Sequence, residues 1–155
     1  ESVSAAVLAG TDIVYVARVP TRRIMMVGIT IGTRFPAYAT SMGRVLLAAM
    51  PAPDRAEVLA ASELTAMTPR TLADVDSLSD ELQRVRDQGW AIVDGELEAG
   101  LRSAAAPIKG RDGRIVAAIN VSTSASRDSV EHLRDFHLPL LLQTAAAIEA
   151  DLRLL

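Results

Sequence analysis

The sequence contains no cysteine, which excludes disulfides, thiolate metal sites and cysteine nucleophiles together. Aromatic residues make up 3% of the chain, too few for a platform on which single-stranded nucleic acid could stack. Basic residues number 16 against 19 acidic ones, and the net charge of −3 argues against a basic nucleic-acid-binding surface. No apolar stretch is long enough to span a bilayer, and the first residues carry no basic targeting segment. We therefore expect a cytoplasmic protein with no membrane partner.

The sequence does contain enough apolar residues for a substantial core. Half of its 155 residues are hydrophobic, and this length favours one domain spanning residues 1–155. Because aromatic residues are scarce, the core must be built from Ala, Val, Leu, Ile and Met. The chain starts with Glu1 and enters strand-like sequence at once, so we expect it to be part of a longer protein.

The predicted elements follow the order strands, helices, strands, helix. Alternating apolar residues predict strands at residues 2–9, 13–19, 24–31, 90–95, 101–108 and 115–122. Helical spacing and capping residues predict helices at 42–50, at 53–61, from Asp76 or Ser77 to Gly89, and from Ser126 onward with a potential break near Pro139. Short turns join neighbouring strands and βαβ alternation is missing. The prediction is an α+β domain in which helices pack on a central antiparallel sheet.

Two of the predicted helices have distinct inner and outer sides. The third helix places Leu78, Leu82 and Val85 on one core-facing stripe, and Asp80 can pair with Arg84 on its outer side. The last helix is expected to turn the following residues inward: Leu141, Thr144, Ala145, Ile148 and Leu152.

The common catalytic motifs are missing from the sequence. It has no GxGxxG, no phosphate loop and no GxSxG elbow. His132 and His137 are five residues apart, which on an α-helix separates them by about 140° and argues against a zinc pair on one face. We therefore expect both histidines at the surface or at a helix end, and we expect neither a metal nor a cofactor.

Three carboxylates provide the enzyme alternative. Asp94, Glu96 and Glu98 would share one side of an extended segment, where they could support acid–base chemistry or hold a divalent cation. A solvated strand end with exposed charges explains the same pattern. The sequence therefore favours a protein that is not an enzyme, and a carboxylate- or metal-dependent enzyme remains the alternative.

One pattern does suggest a small-molecule site, beginning at the helix that Thr40 and Ser41 open. The first N–H groups of a helix lack intrahelical partners and carry partial positive charge, which suits a bound carboxylate. Met42 follows, and Gly43 would let a ligand approach the backbone closely. The competing interpretation is an ordinary N-cap whose hydroxyls serve their own helix.

Two predicted strands add polar groups that could face this helix start. Asn120 and Ser122 lie on one face of their strand, and Leu101 and Ser103 share a face of the preceding strand. Buried polar groups need partners, which could be a ligand or the backbone of a neighbouring loop. Together these features predict an apolar pocket with a few converging polar groups, the usual form of a ligand site.

Several blocks of the sequence resemble the effector-binding domain of IclR-type transcriptional regulators. They are TSMGRVLLA at 40–48, GW at 89–90, DGELEAGLRSAAAPI at 94–108 and AAINVS at 117–122. Their order and spacing fit nearly the whole chain, and the block at 94–108 is the most specific. RFPAY at 34–38, together with ELE before GLRS, is similar to the branch that regulates aromatic-acid catabolism through protocatechuate and β-ketoadipate.

The resemblance implies a profilin/GAF-like α+β domain that binds a small, usually anionic, metabolite without a cofactor. In such regulators a winged helix-turn-helix module precedes this domain and binds DNA, and the proteins form homodimers and often homotetramers. The effector would be an aromatic acid or a β-ketoadipate-like acid. Carried over by position, the family's ligand contacts fall on Val27, Ser41, Met42, Leu101, Ser103, Asn120 and Ser122.

One departure from the family pattern concerns the ligand. Where some members place an acidic contact residue, this chain has Val93, with Asp94 beside it. The effector is therefore expected to differ from a small keto acid. A purely structural dimerisation domain is the third functional alternative.

Overall fold

A six-stranded antiparallel sheet forms the centre of the computed structural model, which describes residues 1–20 and 28–155. The strands follow the spatial order β3-β2-β1-β6-β5-β4. Their bounds are β1 Ser2–Ala9, β2 Asp12–Val19, β3 Arg34–Pro36, β4 Ala91–Asp94, β5 Leu101–Lys109 and β6 Ile115–Ser124. Hairpins make the connections β1–β2 and β5–β6, and every strand pair is antiparallel.

Helices cover both faces of this sheet. Their bounds are α1 Ser41–Ala49, α2 Ala52–Ala61, α3 Val75–Gln88, α4 Val130–His132 and α5 Leu138–Leu152, with a 3₁₀ turn at Ala37–Ala39 and a π-helical turn at Leu133–His137. One core cluster joins α1 and α3 to the sheet, and a second joins α5 to the opposite face. This arrangement confirms the predicted α+β class.

Helix α1 is buried from Ser41 to Ala48 because the sheet lies on one side of it and α3 on the other. The predicted stripe of α3 is confirmed: Leu78 and Leu82 are fully buried and Val85 nearly so. Gly89 ends α3 in the left-handed conformation at φ 85°, as its position predicts.

The third predicted strand is wrong in its described part. Residues 24–27 of the predicted strand lie outside the described residues, and residues 28–31 form no strand. Gly28 and Gly32 have φ of 104° and 94°, and the left-handed conformation turns the chain where a strand would need it extended. The edge strand begins instead at Arg34, whose guanidinium bonds Asp12 at 3.1 Å.

Smaller corrections concern the cap and the polar side of α3. Asp74, and neither Asp76 nor Ser77, caps α3 by accepting a hydrogen bond from the Ser77 amide at 2.8 Å. Arg84 pairs with Glu81 at 2.6 Å rather than with Asp80.

The last helix differs from its prediction at one inward position and at the expected break. Thr144 is exposed, and its hydroxyl donates to the carbonyl oxygen of Leu140 at 2.9 Å, which satisfies it without burial. The helix does not break near Pro139. The π-helical turn ends at His137, α5 begins directly at Leu138, and Pro139 occupies the first turn of α5, where proline is tolerated.

Candidate functional site

A small cavity lies between the start of α1 and the sheet. Its lining combines apolar and hydroxyl-bearing residues: Tyr15, Ala39, Thr40, Ser41, Met42, Val93, Leu97, Leu101, Ser103, Asn120 and Ser122. Six of the eight predicted site residues therefore surround one space, although they come from three separate parts of the chain. They are Ser41, Met42, Leu101, Ser103, Asn120 and Ser122. Val27 lies outside the described residues.

The strand register explains why the sheet presents polar groups to this cavity. Ser122 pairs with Ser103 on one side and with Ser2 on the other, while Asn120 pairs with Ser4. All five side chains lie on the face that α1 covers, and each is at most 9% exposed. The sequence reasoning missed Ser2 and Ser4, because serine in a strand usually indicates the solvent side.

The polar groups of the cavity are already hydrogen-bonded to one another. The Ser103 hydroxyl donates to Ser41 Oγ at 2.7 Å, and Asn120 Nδ2 donates to Ser122 Oγ at 3.2 Å. Asn120 Oδ1 accepts from the Ser4 amide at 3.1 Å. The cavity has a volume of about 20 Å³, enough for a single water molecule. A ligand larger than water therefore requires this space to widen.

The start of α1 retains backbone donors beside the cavity. Thr40 Oγ1 accepts from the Gly43 amide at 3.1 Å, so that amide already has a partner. The amides of Ser41 and Met42 have no acceptor in residues 1–20 and 28–155. These two N–H groups, with the helix dipole behind them, are where an anion would bind.

Gly43 has a different role from the predicted one. A Cβ at this position would overlap the Ala37 carbonyl oxygen and the Thr40 hydroxyl, so the missing side chain makes room for the chain's own backbone. Gly43 also does not line the cavity. The proposal that a ligand approaches the Gly43 backbone is therefore not supported by this packing.

None of the described residues that line the cavity is charged. Burial raises the pKa of Tyr15 above its ordinary value of 10.0, and the neighbouring Arg18 partly offsets that effect. Tyr15 therefore stays a neutral phenol at physiological pH, able both to donate and to accept a hydrogen bond. Arg18 Nη1 also bonds Ser4 Oγ at 3.4 Å, which places a cation at the edge of the polar sheet face.

A buried ion pair, which the sequence reasoning missed, lies behind the cavity. Arg44 is 1% exposed and binds Glu96 through two hydrogen bonds of 2.7 and 2.5 Å. Arg44 Nε also donates to the Tyr38 carbonyl oxygen at 2.9 Å, and Glu96 Oε1 accepts from the Leu72 amide at the same distance. This bidentate pair ties α1 to the loop between β4 and β5.

The three carboxylates of the enzyme alternative serve separate partners. Glu96 binds Arg44, while Asp94 binds Arg70 at 2.6 Å and Arg102 at 2.7 Å. Glu98 is exposed. The predicted cluster is therefore not formed by these residues. Asp94 points away from the cavity, which Val93 lines instead.

The structure confirms one part of the histidine prediction and overturns another. His132 is exposed at the end of α4 and His137 lies at the end of the π-helical turn, as expected, but the two side chains do not point to different sides. The π-helical turn at Leu133–His137 widens the repeat, so that His132 and His137 come to one side with ring centroids 5.1 Å apart. A five-residue spacing separates two side chains on an α-helix, but the π-helical turn removes that separation here. Asp128 lies against both rings.

The fold and cavity together define the class of protein. A cavity with a few converging polar groups, set between a helix start and a sheet, is typical of a small-molecule-binding domain. The chain matches the family described as "Bacterial transcriptional regulator IclR C-terminal" over residues 1–150, and it belongs to that family.

Individual relatives agree with this assignment. The chain is 48% identical over 143 residues to the Pca regulon regulatory protein of Pseudomonas putida, covering 92% of this chain and 49% of that protein. It also resembles a solved structure of a transcriptional regulator from Rhodococcus sp. RHA1, with a TM-score of 0.94 and 54% identity, covering 98% and 62%. The inducer-binding domain of PobR from Acinetobacter, a double mutant in complex with 3-hydroxybenzoic acid, has a TM-score of 0.89 and 31% identity, covering 96% and 87%.

These relatives also bear on the extent and class of the chain. It spans about half the length of the curated regulators that it matches. These relatives are transcriptional regulators. Within residues 1–20 and 28–155, every helix falls short of the length and apolar character that crossing a membrane requires.

Proposed function

We propose that this chain is the effector-sensing domain of a transcriptional regulator and binds a small aromatic acid in the cavity at the start of α1. The observation that carries the proposal is the convergence of Ser41, Ser103, Asn120 and Ser122 on one space, beside backbone donors that have no acceptor among the described residues. The resemblance to the Pca regulon protein and to the 3-hydroxybenzoic acid complex supports an aromatic acid as the ligand class.

The ligand would replace hydrogen bonds that the pocket now makes with itself. Its carboxylate accepts hydrogen bonds from the backbone amides of Ser41 and Met42, and the Ser41–Ser103 hydrogen bond breaks to make room for it. Asn120, Ser122 and the Tyr15 phenol fix ring hydroxyls. The apolar wall consists of four lining residues: Met42, Val93, Leu97 and Leu101.

Opening requires a movable wall, and the loop between β4 and β5 provides one. Gly95 and Gly100 hold left-handed conformations at φ 68° and 83° and bracket Leu97. The start of the loop is fixed by Glu96, and Gly100 is fixed because its carbonyl oxygen accepts from the Ala125 amide at 2.8 Å, so the freer part runs from Leu97 to Ala99. A ligand that binds the open form draws the population toward it in proportion to its differential affinity.

The signal would reach DNA through a winged helix-turn-helix domain outside this chain. Effector binding changes DNA occupancy only if it favours one arrangement of a homodimer or homotetramer over another. In this account the protein acts in the cytoplasm, catalyses no reaction and needs no cofactor.

Thermal melting with a panel of acids tests the proposal. The panel contains protocatechuate, 3- and 4-hydroxybenzoate and β-ketoadipate, with 4-hydroxybenzyl alcohol as the uncharged control. At 100-fold excess over its Kd a ligand adds about 2.7 kcal/mol, which raises Tm by about 5–10 °C in a domain of this size.

Substitution then places the ligand. Ser103→Leu fills the cavity, and we expect it to abolish the Tm shift while the domain still folds. Ser79→Leu, on the exposed side of α3, is the matched control and keeps the shift. A shift that survives Ser103→Leu would place the ligand elsewhere. No shift with any acid at millimolar concentration would favour a structural dimerisation domain.

A further inference from the structure

A group of three ligating side chains lies away from the cavity, where β6 passes into the C-terminal helices. Asp128, His132 and His137 each offer a donor atom, and these atoms all lie within 4.8 Å of one another. His132 Nε2 is 3.6 Å from Asp128 Oδ1, and His137 Nε2 is 3.5 Å from Asp128 Oδ2. Glu1 brings a second carboxylate to 3.9 Å from His137 Nε2.

The backbone holds both rings toward the same point. Ser129 Oγ accepts from the His132 amide at 3.0 Å and fixes the start of α4. The π turn then supplies the extra residue that turns His137 to the side of His132. Phe136 stacks on the His132 ring at a centroid distance of 4.9 Å and an angle of 11°, which limits rotation of that ring.

The carboxylate between the rings is also oriented by its neighbours. Thr123 Oγ1 donates to Asp128 Oδ2 at 2.7 Å, and Arg102 Nη1 donates to the Asp128 carbonyl oxygen at 2.6 Å. Asp128 therefore has a hydrogen-bonded outer shell, as metal-ligating carboxylates do.

One donor atom of the group lacks a hydrogen-bond partner among the described residues. His137 Nε2 is buried and makes no hydrogen bond with any described residue. A buried polar atom without a partner costs free energy, so its retention calls for an unseen partner. The two carboxylates that flank it, Asp128 at 3.5 Å and Glu1 at 3.9 Å, favour a cation as that partner.

We propose that Asp128, His132 and His137 bind one divalent metal ion of the zinc class. Two imidazoles and a carboxylate suit Zn²⁺ and its neighbours better than Mg²⁺ or Ca²⁺, which favour oxygen ligands. Zinc bonds of about 2.0–2.1 Å in tetrahedral geometry place donors about 3.4 Å apart. The two His–Asp128 separations of 3.5 and 3.6 Å are close to this value, and all the donor atoms lie within 4.8 Å, so metal binding draws the group together. Glu1 or water completes the coordination.

The position gives the ion a structural consequence. Asp128 follows the end of β6, while His132 and His137 belong to the helical segment that leads into α5. The ion therefore fastens that segment to the sheet, and none of its three ligands lines the aromatic-acid cavity. Because binding stabilises only the folded state, 100-fold excess over Kd raises Tm by about 5–10 °C.

Calorimetric titration of the untagged chain with ZnCl₂, together with thermal melting, tests this site. We expect one ion per chain and a rise in Tm with Zn²⁺, and no saturation with millimolar MgCl₂. His132→Gln and His137→Gln each weaken Zn²⁺ binding by at least about 100-fold, since outer-shell partners alone are worth about 10–100-fold. Thr123→Val removes such a partner and weakens binding by about 10-fold.

The control variant is Asp135→Asn, which removes an exposed carboxylate from the same π turn and leaves affinity unchanged. Melting of each variant without metal shows that it remains folded. The proposal is overturned if Zn²⁺ shows no saturable binding below millimolar concentration. It is equally overturned if both histidine variants bind Zn²⁺ as the unaltered chain does.

Discussion

At the scale of single residues, the Arg44–Glu96 pair is the feature that the sequence conceals most. An arginine in the middle of an apolar helix would ordinarily extend to solvent. Here the guanidinium is fully surrounded, and its donors are used by Glu96 and the Tyr38 carbonyl. The spacing of 52 residues between the partners gives no local signal, so the pair is visible only in the folded chain.

Removing one charge of this pair is expected to be costly. Glu96→Gln leaves the Arg44 charge buried without a counterion, which should lower the free energy of unfolding by about 3 kcal/mol. Urea unfolding measures the change through the midpoint at constant m value. Glu98→Gln, at an exposed neighbour, is the control and should change stability by less than about 0.5 kcal/mol. An equally small effect of Glu96→Gln would contradict the account, and Arg44→Met added to Glu96→Gln should recover part of the loss.

At the scale of elements, local patterns predicted most of what the structure contains. Five of the six strand positions follow from alternation, and Gly89 marks the end of α3. The errors occur where the local sequence is compatible with more than one structure. Asp74, Asp76 and Ser77 all favour a helix start, and the choice among them depends on the loop that precedes α3. The π turn at Leu133–His137 was missed because a pattern at the α-helical spacing does not reveal the wider repeat of a π-helix.

The cap of α3 makes stability depend on pH. Asp74 accepts hydrogen bonds from the amide and the hydroxyl of Ser77, and these hold its pKa below 3.8. A depressed pKa in the folded state means that the stabilisation is present above pH 3.8 and is lost as pH falls through the lower folded value. Asp74→Ala should therefore lower Tm at neutral pH, and the difference from the unaltered chain should shrink in acid.

The control for this titration is Asp74→Ser, which keeps an uncharged capping hydroxyl. Its Tm difference from Asp74→Ala should stay constant with pH. Melting curves between neutral pH and about pH 2 measure both differences. A difference between the unaltered chain and Asp74→Ala that persists unchanged at the lowest pH would contradict the assigned cap.

At the scale of the whole molecule, the sheet separates two kinds of packing. Small apolar residues such as Ala104 and Ala106 meet α5 on one face, while the other face carries a polar row at Ser2, Ser4 and Asn120. Sequence alternation placed Asn120 and Ser122 on one face of their strand and Ser103 on one face of its own strand. Capping and alternation suggested that these strands meet the start of α1 at one pocket, but they could not fix the contact between Ser41 and Ser103, which are 62 residues apart. The resemblance to a known family assigned ligand contacts to the same parts of the chain.

The small volume of the cavity is the other property that no sequence pattern indicates. Its hydroxyl and amide groups are hydrogen-bonded to one another, and its volume of about 20 Å³ is enough for a single water molecule. The chain therefore binds a ligand only by exchanging internal hydrogen bonds for hydrogen bonds with the ligand. In the proposed function, such an exchange would couple ligand occupancy to a change in the loop between β4 and β5, as a sensor requires.

Amide NMR titration of the chain with 4-hydroxybenzoate or protocatechuate tests the central claim most directly. The account predicts that the backbone amides of Ser41 and Met42 show the largest saturable chemical-shift changes, because they donate hydrogen bonds to the carboxylate of the ligand. Amides of α5 should move little. Binding that leaves the Ser41 and Met42 amides unperturbed would contradict the account.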